Sequence, residues 1–117
     1  GEAAAALRSV FERTGEVLDP HTAVAQAVYD RVKDGTPAVV LSTASPYKFP
    51  QDVLIAIDPE KHPPKDGFLA AQALSERTNT RIPAQILALR DAPVRFFQSC
   101  EKGEMESALF EALARWS

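Results

Sequence analysis

Pro37-Ala38-Val39-Val40-Leu41-Ser42-Thr43 is a short, unbroken, β-branched run with Gly35 before it and Ser45-Pro46 after it. A run of that length without polar alternation reads as a strand buried on both faces, as in a parallel sheet covered by helices. The pattern on either side is helical. Upstream, residues 2 to 14 place Ala3, Ala6, Leu7, Val10 and Phe11 on one face, and Gly15 stands where a left-handed C-cap belongs. Asp19-Pro20 then restarts a helix, the carboxylate capping free N–H groups and the proline fitting the first helical position. Val24, Ala27, Val28 and Val32 recur behind it at helical spacing, until Gly35 ends the element.

Downstream, Phe49-Pro50 opens a helix carrying Val53, Leu54 and Ile57, and the three prolines among charges between residues 58 and 66 mark a surface loop. Phe68 to Arg77 reads as a helix with Phe68, Ala71 and Leu74 inward, and Pro83 opens another with Ile86, Leu87 and Leu89. Val94 to Gln98 reads as a second short strand. The last helix carries a Met105, Leu109, Leu113, Trp116 stripe with Phe110 beside it, expected to be core or interface. The fold class is therefore α/β and helix-rich: a small parallel sheet remnant covered by helices, in a single domain over 1–117.

Composition bounds the function. The 117 residues are 45% apolar and 25% charged, as in an ordinary globular domain. A net charge of −3 and a pI near 5.3 argue against a chain that grips a nucleic-acid backbone. The five glycines, at 1, 15, 35, 67 and 103, lie far apart, which excludes a glycine-rich phosphate loop within this stretch. Cys100 stands alone, so no internal disulfide forms and a reducing cytoplasm is the plain reading. No charge-free run is long enough to span a bilayer, so neither a membrane nor a nucleic acid is an expected partner. The chain begins at Gly1 and its one methionine is Met105, which reads as the edge of an excised piece.

Two polar blocks carry the chemistry. The first, Asp19-Pro20-His21-Thr22-Ala23-Val24, falls on a helix N-terminus, where free N–H groups attract anions. The second, Leu41-Ser42-Thr43-Ala44-Ser45-Pro46-Tyr47-Lys48-Phe49-Pro50, lies at the carboxyl end of the expected strand, where open α/β sheets bind ligands. Together they offer the hydroxyls of Thr22, Ser42, Thr43 and Ser45, the His21 imidazole and the Lys48 ammonium. That inventory suits a phosphorylated or otherwise anionic ligand. It suits neither a metal nor a Ser-His-Asp triad, since nothing orients His21 against a nucleophile. Each residue also has a plainer role: Thr43 closing a strand, His21 satisfying local backbone, Lys48 solvated, Ser42 and Ser45 forming turns, Asp19 capping. His62 sits in the proline-rich loop and reads as idle.

At this separation the two blocks resemble the C-terminal part of threonine synthase. The lead-in Gly15-Glu16-Val17-Leu18 resembles the family too, and more loosely so do Ile82-Pro83, Leu89 and Pro93-Val94-Arg95. The resemblance implies an enzyme of the fold-type II class that uses pyridoxal 5′-phosphate to convert O-phospho-L-homoserine and water to L-threonine and phosphate. It implies that Thr43 supplies the hydroxyl facing the pyridine nitrogen, and that His21, Ser45 and Lys48 are the substrate or active-site candidates. The departures matter as much. The family's Schiff-base lysine and its glycine- and asparagine-rich phosphate loop lie outside this chain. Of Lys33, Lys48, Lys61, Lys65 and Lys102 only Lys48 is near the blocks, and the sole asparagine, Asn79, has no glycine beside it. The chain is then a C-terminal fragment, inactive alone and not expected to hold the cofactor. Its partners would be the remainder of the threonine synthase chain, the O-phosphohomoserine substrate and, through residues 37 to 43, a second copy of itself. The alternative is a free-standing, non-catalytic α/β module that binds a partner or an anion.

Overall fold

A computed structural model describes residues 1–95 and 97–115. Six helices follow one another: α1 (Glu2–Thr14), α2 (Pro20–Val32), α3 (Pro50–Ile57), α4 (Gly67–Thr78), α5 (Ala84–Ala88) and α6 (Met105–Ala114). Short 3-10 turns at Pro46–Lys48 and Lys102–Glu104 lead into α3 and α6. The punctuation follows the sequence closely. Gly15 closes α1 at φ 76, a left-handed conformation that costs glycine little, and its N–H reaches Phe11 O. Asp19 caps α2 with Pro20 in its first turn, and Asp66 caps α4 through the amides of Phe68 and Leu69. The α2 helix stops at Val32, earlier than Gly35 suggested; Gly35 makes the turn beyond it at φ 92.

The core lies among the first four helices, with α1 packed on α2 and α3, and α3 packed on α4. Leu7, Val53 and Leu74, from three of those helices, are fully buried at its centre. Leu7 and Val10 face inward from α1 as their spacing predicts, and so do Ala71 and Leu74 from α4. Two polar ties fix the arrangement. Arg8 Nε donates to Ala56 O at 2.8 Å, joining α1 to the last turn of α3. The buried Tyr47 sends its hydroxyl to Thr80, 3.0 Å from the carbonyl and 2.7 Å from Oγ1, joining the 3-10 turn to the end of α4.

The expected sheet is not formed. Among the described residues no strand exists, and residues 37 to 43 run as irregular backbone with Val39 85% and Leu41 76% exposed. A strand is defined by its neighbours, and among the described residues no second strand pairs with it. The C-terminal helices do not cover it either. Val94, Arg95, Phe97 and Gln98 are likewise outside any strand, while Phe96, in the middle of that expected strand, lies outside the described residues. The valine face of α2 is turned out: Val24, Val28 and Val32 are each more than half exposed, and the helix buries Thr22 and Ala23 instead.

The C-terminal part is equally open. From Leu87 to Arg115 every described residue except Ala108 is exposed, including Met105, Leu109 and Leu113 of the stripe expected to be core or interface and Phe110 beside it; Trp116 lies outside the described residues. The radius of gyration is 18.3 Å, against about 13 Å for a compact chain of this length. Isolated globular domains rarely expose apolar surface on this scale.

Candidate functional site

The site is built around Asp19, whose side chain is fully buried at the start of α2. Its Oδ1 accepts from the His21 amide at 3.0 Å and the Thr22 amide at 3.4 Å, the normal work of a cap. The same oxygen lies 3.1 Å from His21 Nδ1. The Thr22 hydroxyl donates to Oδ2 in a short hydrogen bond. Burial raises the Asp19 carboxyl, but the hydrogen bonds from the Thr22 hydroxyl and from the His21 amide and ring outweigh it. The group is held below its ordinary value and is a carboxylate at neutral pH.

This cap also corrects one expectation. The first N–H groups of α2 are not free for an external anion, because Asp19 already accepts from His21 and Thr22 and its own carbonyl takes the Ala23 amide. A fixed negative charge stands where an anion would bind.

The two polar blocks do meet. Thr22 Oγ1 lies 3.3 Å from Ser42 Oγ, twenty residues away. With the Thr22 proton committed to Asp19, the Thr22 oxygen can only accept in that pair, and the one Ser42 hydroxyl proton is shared between it and the Ala44 carbonyl 3.5 Å away. His21 is tied to the second block through Phe49, the ring centroids 5.1 Å apart in an edge-on arrangement. Two independent contacts therefore hold an imidazole that is otherwise exposed, its side chain 69% accessible.

The remaining candidates belong to the second block. Thr43 is exposed, and its hydroxyl has no partner among the described residues. Lys48 is exposed next to Phe49. Ser45 caps the 3-10 turn, its oxygen accepting from the Tyr47 amide at 3.3 Å, which makes it a turn former that retains a hydroxyl proton. His62 is exposed in the loop before α4 and belongs to no cluster with these residues. Sequence reasoning took Asp19 for a cap alone; the i, i+2, i+3 spacing of Asp19, His21 and Thr22 was the signal that one carboxylate reaches both side chains. Nothing in the sequence placed Phe49 against His21.

Among the described residues no group of three or more His, Cys, Asp or Glu is placed to hold a metal ion. No helix is long and apolar enough to cross a membrane. A concavity of about 480 Å³ lies elsewhere, between residues 98–100 and α6, and includes Cys100, Glu104 and Arg115 but none of the motif residues.

The two polar blocks thus meet through hydroxyl, carboxylate and imidazole contacts beside helices that leave much apolar surface bare. The chain belongs to the family described as threonine synthase, C-terminal, which matches residues 22–100. It is also 48% identical over 58 residues to threonine synthase-like 1 of Macaca fascicularis and 47% identical over 58 residues to threonine synthase-like 1 of Homo sapiens. The counterpart in Mus musculus is 40% identical over 58 residues. Each match covers 49% of this chain and 8% of the relative, so the chain spans a small part of the length of the relatives it matches.

The residues at hand fit one side of a pyridoxal-phosphate pocket and not its anchors. The unpartnered Thr43 hydroxyl suits a ring nitrogen. The capped start of α2 offers no amides to the cofactor phosphate, and Lys48 is the one lysine in either block.

Proposed function

We propose that this chain is the C-terminal part of a pyridoxal-phosphate-dependent threonine synthase of the fold-type II class, and that it closes the active site from one side. What supports this reading is the meeting of the two blocks, with Thr22 against Ser42 and His21 against Phe49. When bound, the cofactor supplies the electron sink that such chemistry requires. The residues of this chain do the rest. Thr43 would donate its hydroxyl proton to the ring nitrogen, a neutral partner that favours the unprotonated form of that nitrogen. Lys48 offers a point charge to the substrate phosphate, which is a dianion near neutral pH. Ser45 holds the 3-10 turn from which Lys48 projects.

The exposed run 37–43 and the valine face of α2 are accounted for in the same way. In the larger enzyme the run pairs with strands supplied by the rest of the chain, the valines pack on the sheet so formed, and the parallel-sheet layout is complete only there. Alone, the 117 residues bring neither the Schiff-base lysine nor the phosphate loop, so they have no activity.

The test is a threonine synthase whose own C-terminal segment is replaced by this chain, assayed with O-phosphohomoserine after its cofactor content is measured. Turnover by the hybrid and none by the 117 residues alone is the expected result. Within it, Thr43→Val lowers kcat by about 2- to 12-fold, the loss of one hydrogen bond worth ~0.5–1.5 kcal/mol. Unchanged kinetics in a cofactor-loaded hybrid would remove Thr43 from the site. A free-standing binding module predicts no turnover in any hybrid.

A further inference from the structure

The geometry points to Asp19 as a positioning residue that fixes the tautomer of His21, so that His21 meets the substrate as a proton acceptor while Lys48 alone takes the phosphate. The second half of this inference rests on the function proposed above; the first does not.

The argument starts from the buried carboxylate. Asp19 is fully buried and can only accept hydrogen bonds, so the His21 nitrogen 3.1 Å from its Oδ1 must carry the proton. In the neutral imidazole that leaves Nε2 with its lone pair. Phe49 packs edge-on against the same ring, so both the plane and the tautomer of the imidazole are set by contacts from separate parts of the chain. A free histidine prefers the opposite tautomer, with the proton on Nε2. Asp19 reverses that preference and, through Thr22 and Ser42, ties it to the position of the segment that carries Thr43.

The consequence is chemical. A phosphate oxygen is an acceptor, and an acceptor nitrogen cannot bind it. Nε2 in this tautomer matches a donor: water, a hydroxyl or an ammonium group. If it takes a proton there, the resulting imidazolium faces the Asp19 carboxylate, which stabilises the charge it gains. The same logic operates wherever a carboxylate orients a catalytic imidazole. The two candidate contacts are thereby separated: Lys48 for the anion, His21 for the proton.

The experiment is nitrogen NMR of the 117-residue chain with labelled histidine, at a pH where imidazole is neutral. Only His21 and His62 contribute, and His62, exposed and outside the network, serves as the internal reference for the ordinary tautomer. The expected spectrum gives His21 an unprotonated, pyridine-like Nε2 and a protonated Nδ1, with His62 the reverse. The variant Asp19→Ser keeps a good cap for α2 but is too short to reach Nδ1, so His21 should return to the pattern of His62 with the helix intact by circular dichroism. A protonated Nε2 on His21 in the unaltered chain, or an unchanged tautomer in Asp19→Ser, overturns the positioning role. In the hybrid enzyme His21→Ala should lower kcat by about 10²-fold or more, the usual contribution of a proton-transferring side chain, with a smaller change in KM. Lys48→Gln should instead raise KM. The reverse split overturns the division of labour. A hybrid without any turnover refutes the enzymatic reading and leaves the tautomer result standing.

Discussion

Replacing Asp19 with alanine removes the acceptor of four hydrogen bonds at once: from the amides of His21 and Thr22, the His21 ring and the Thr22 hydroxyl. Losing a helix cap costs about 1 kcal/mol. Stranding the buried Thr22 hydroxyl costs roughly 1–3 kcal/mol more, toward the lower end because Ser42 Oγ is 3.3 Å away and can turn to meet it. The exposed His21 ring returns to water at little cost. The expected loss is therefore about 2–3 kcal/mol, a large share of the ~5–15 kcal/mol that holds a domain together. Thermal unfolding followed by circular dichroism should show the melting temperature about 8–12 °C lower, at roughly 4 °C per kcal/mol for this chain length. Asp19→Ser should recover about 1 kcal/mol of the loss by restoring the cap.

Acid supplies a second check. The folded carboxyl titrates below its unfolded value, so its contribution is complete above the ordinary carboxylate value of ~4 and drains away as pH falls through the folded value. The gap between the natural chain and Asp19→Ala should be constant from about pH 5 to 7 and narrow below about pH 4. An Asp19→Ala chain within ~0.5 kcal/mol of the original at neutral pH would refute the role assigned to the network, since a loss that small is less than an ordinary cap.

Three further outcomes follow from the packing. Leu74→Ala, at a fully buried position in α4, should cost about 2–5 kcal/mol, read from urea unfolding; a loss below that range would mean the core collapses around the cavity. Tyr47→Phe removes the hydroxyl bonded to Thr80 and should cost about 1 kcal/mol in the same assay. Among residues 37 to 41 no backbone amide has a hydrogen-bond partner. Their hydrogens should exchange at close to the unprotected rate while those of α1 and α3 are slow, and protection at Val39 or Leu41 would show that the run is paired after all.

The helices were legible in the sequence because their signals are local. Asp19-Pro20, Gly15 and Pro50 act through neighbours two to four residues away, and the structure places a helix boundary at or next to each. The strand was not, because β-structure is set by what lies beside it. The composition of residues 37 to 43 states only that the run suits a pleated, buried setting, and this chain offers none. The inward face of α2 was misread for a related reason. Val24, Val28 and Val32 form a regular apolar stripe, yet α2, packed on α1, buries Thr22 and Ala23 and leaves those valines more than half exposed. Both differences concern apolar surface that the described residues leave exposed. The site candidates fared differently: the spacing of the two blocks is local sequence, but the role of Asp19 needed the fold of α2 back on its own cap, and the Phe49 contact needed the tertiary structure.

The measurement that bears most directly on the account is phosphate release from O-phosphohomoserine by the hybrid threonine synthase carrying this chain as its C-terminal segment. The account predicts threonine and phosphate in equal amounts from the hybrid and neither from the 117 residues alone. A soluble hybrid that holds its cofactor and releases no phosphate would contradict it.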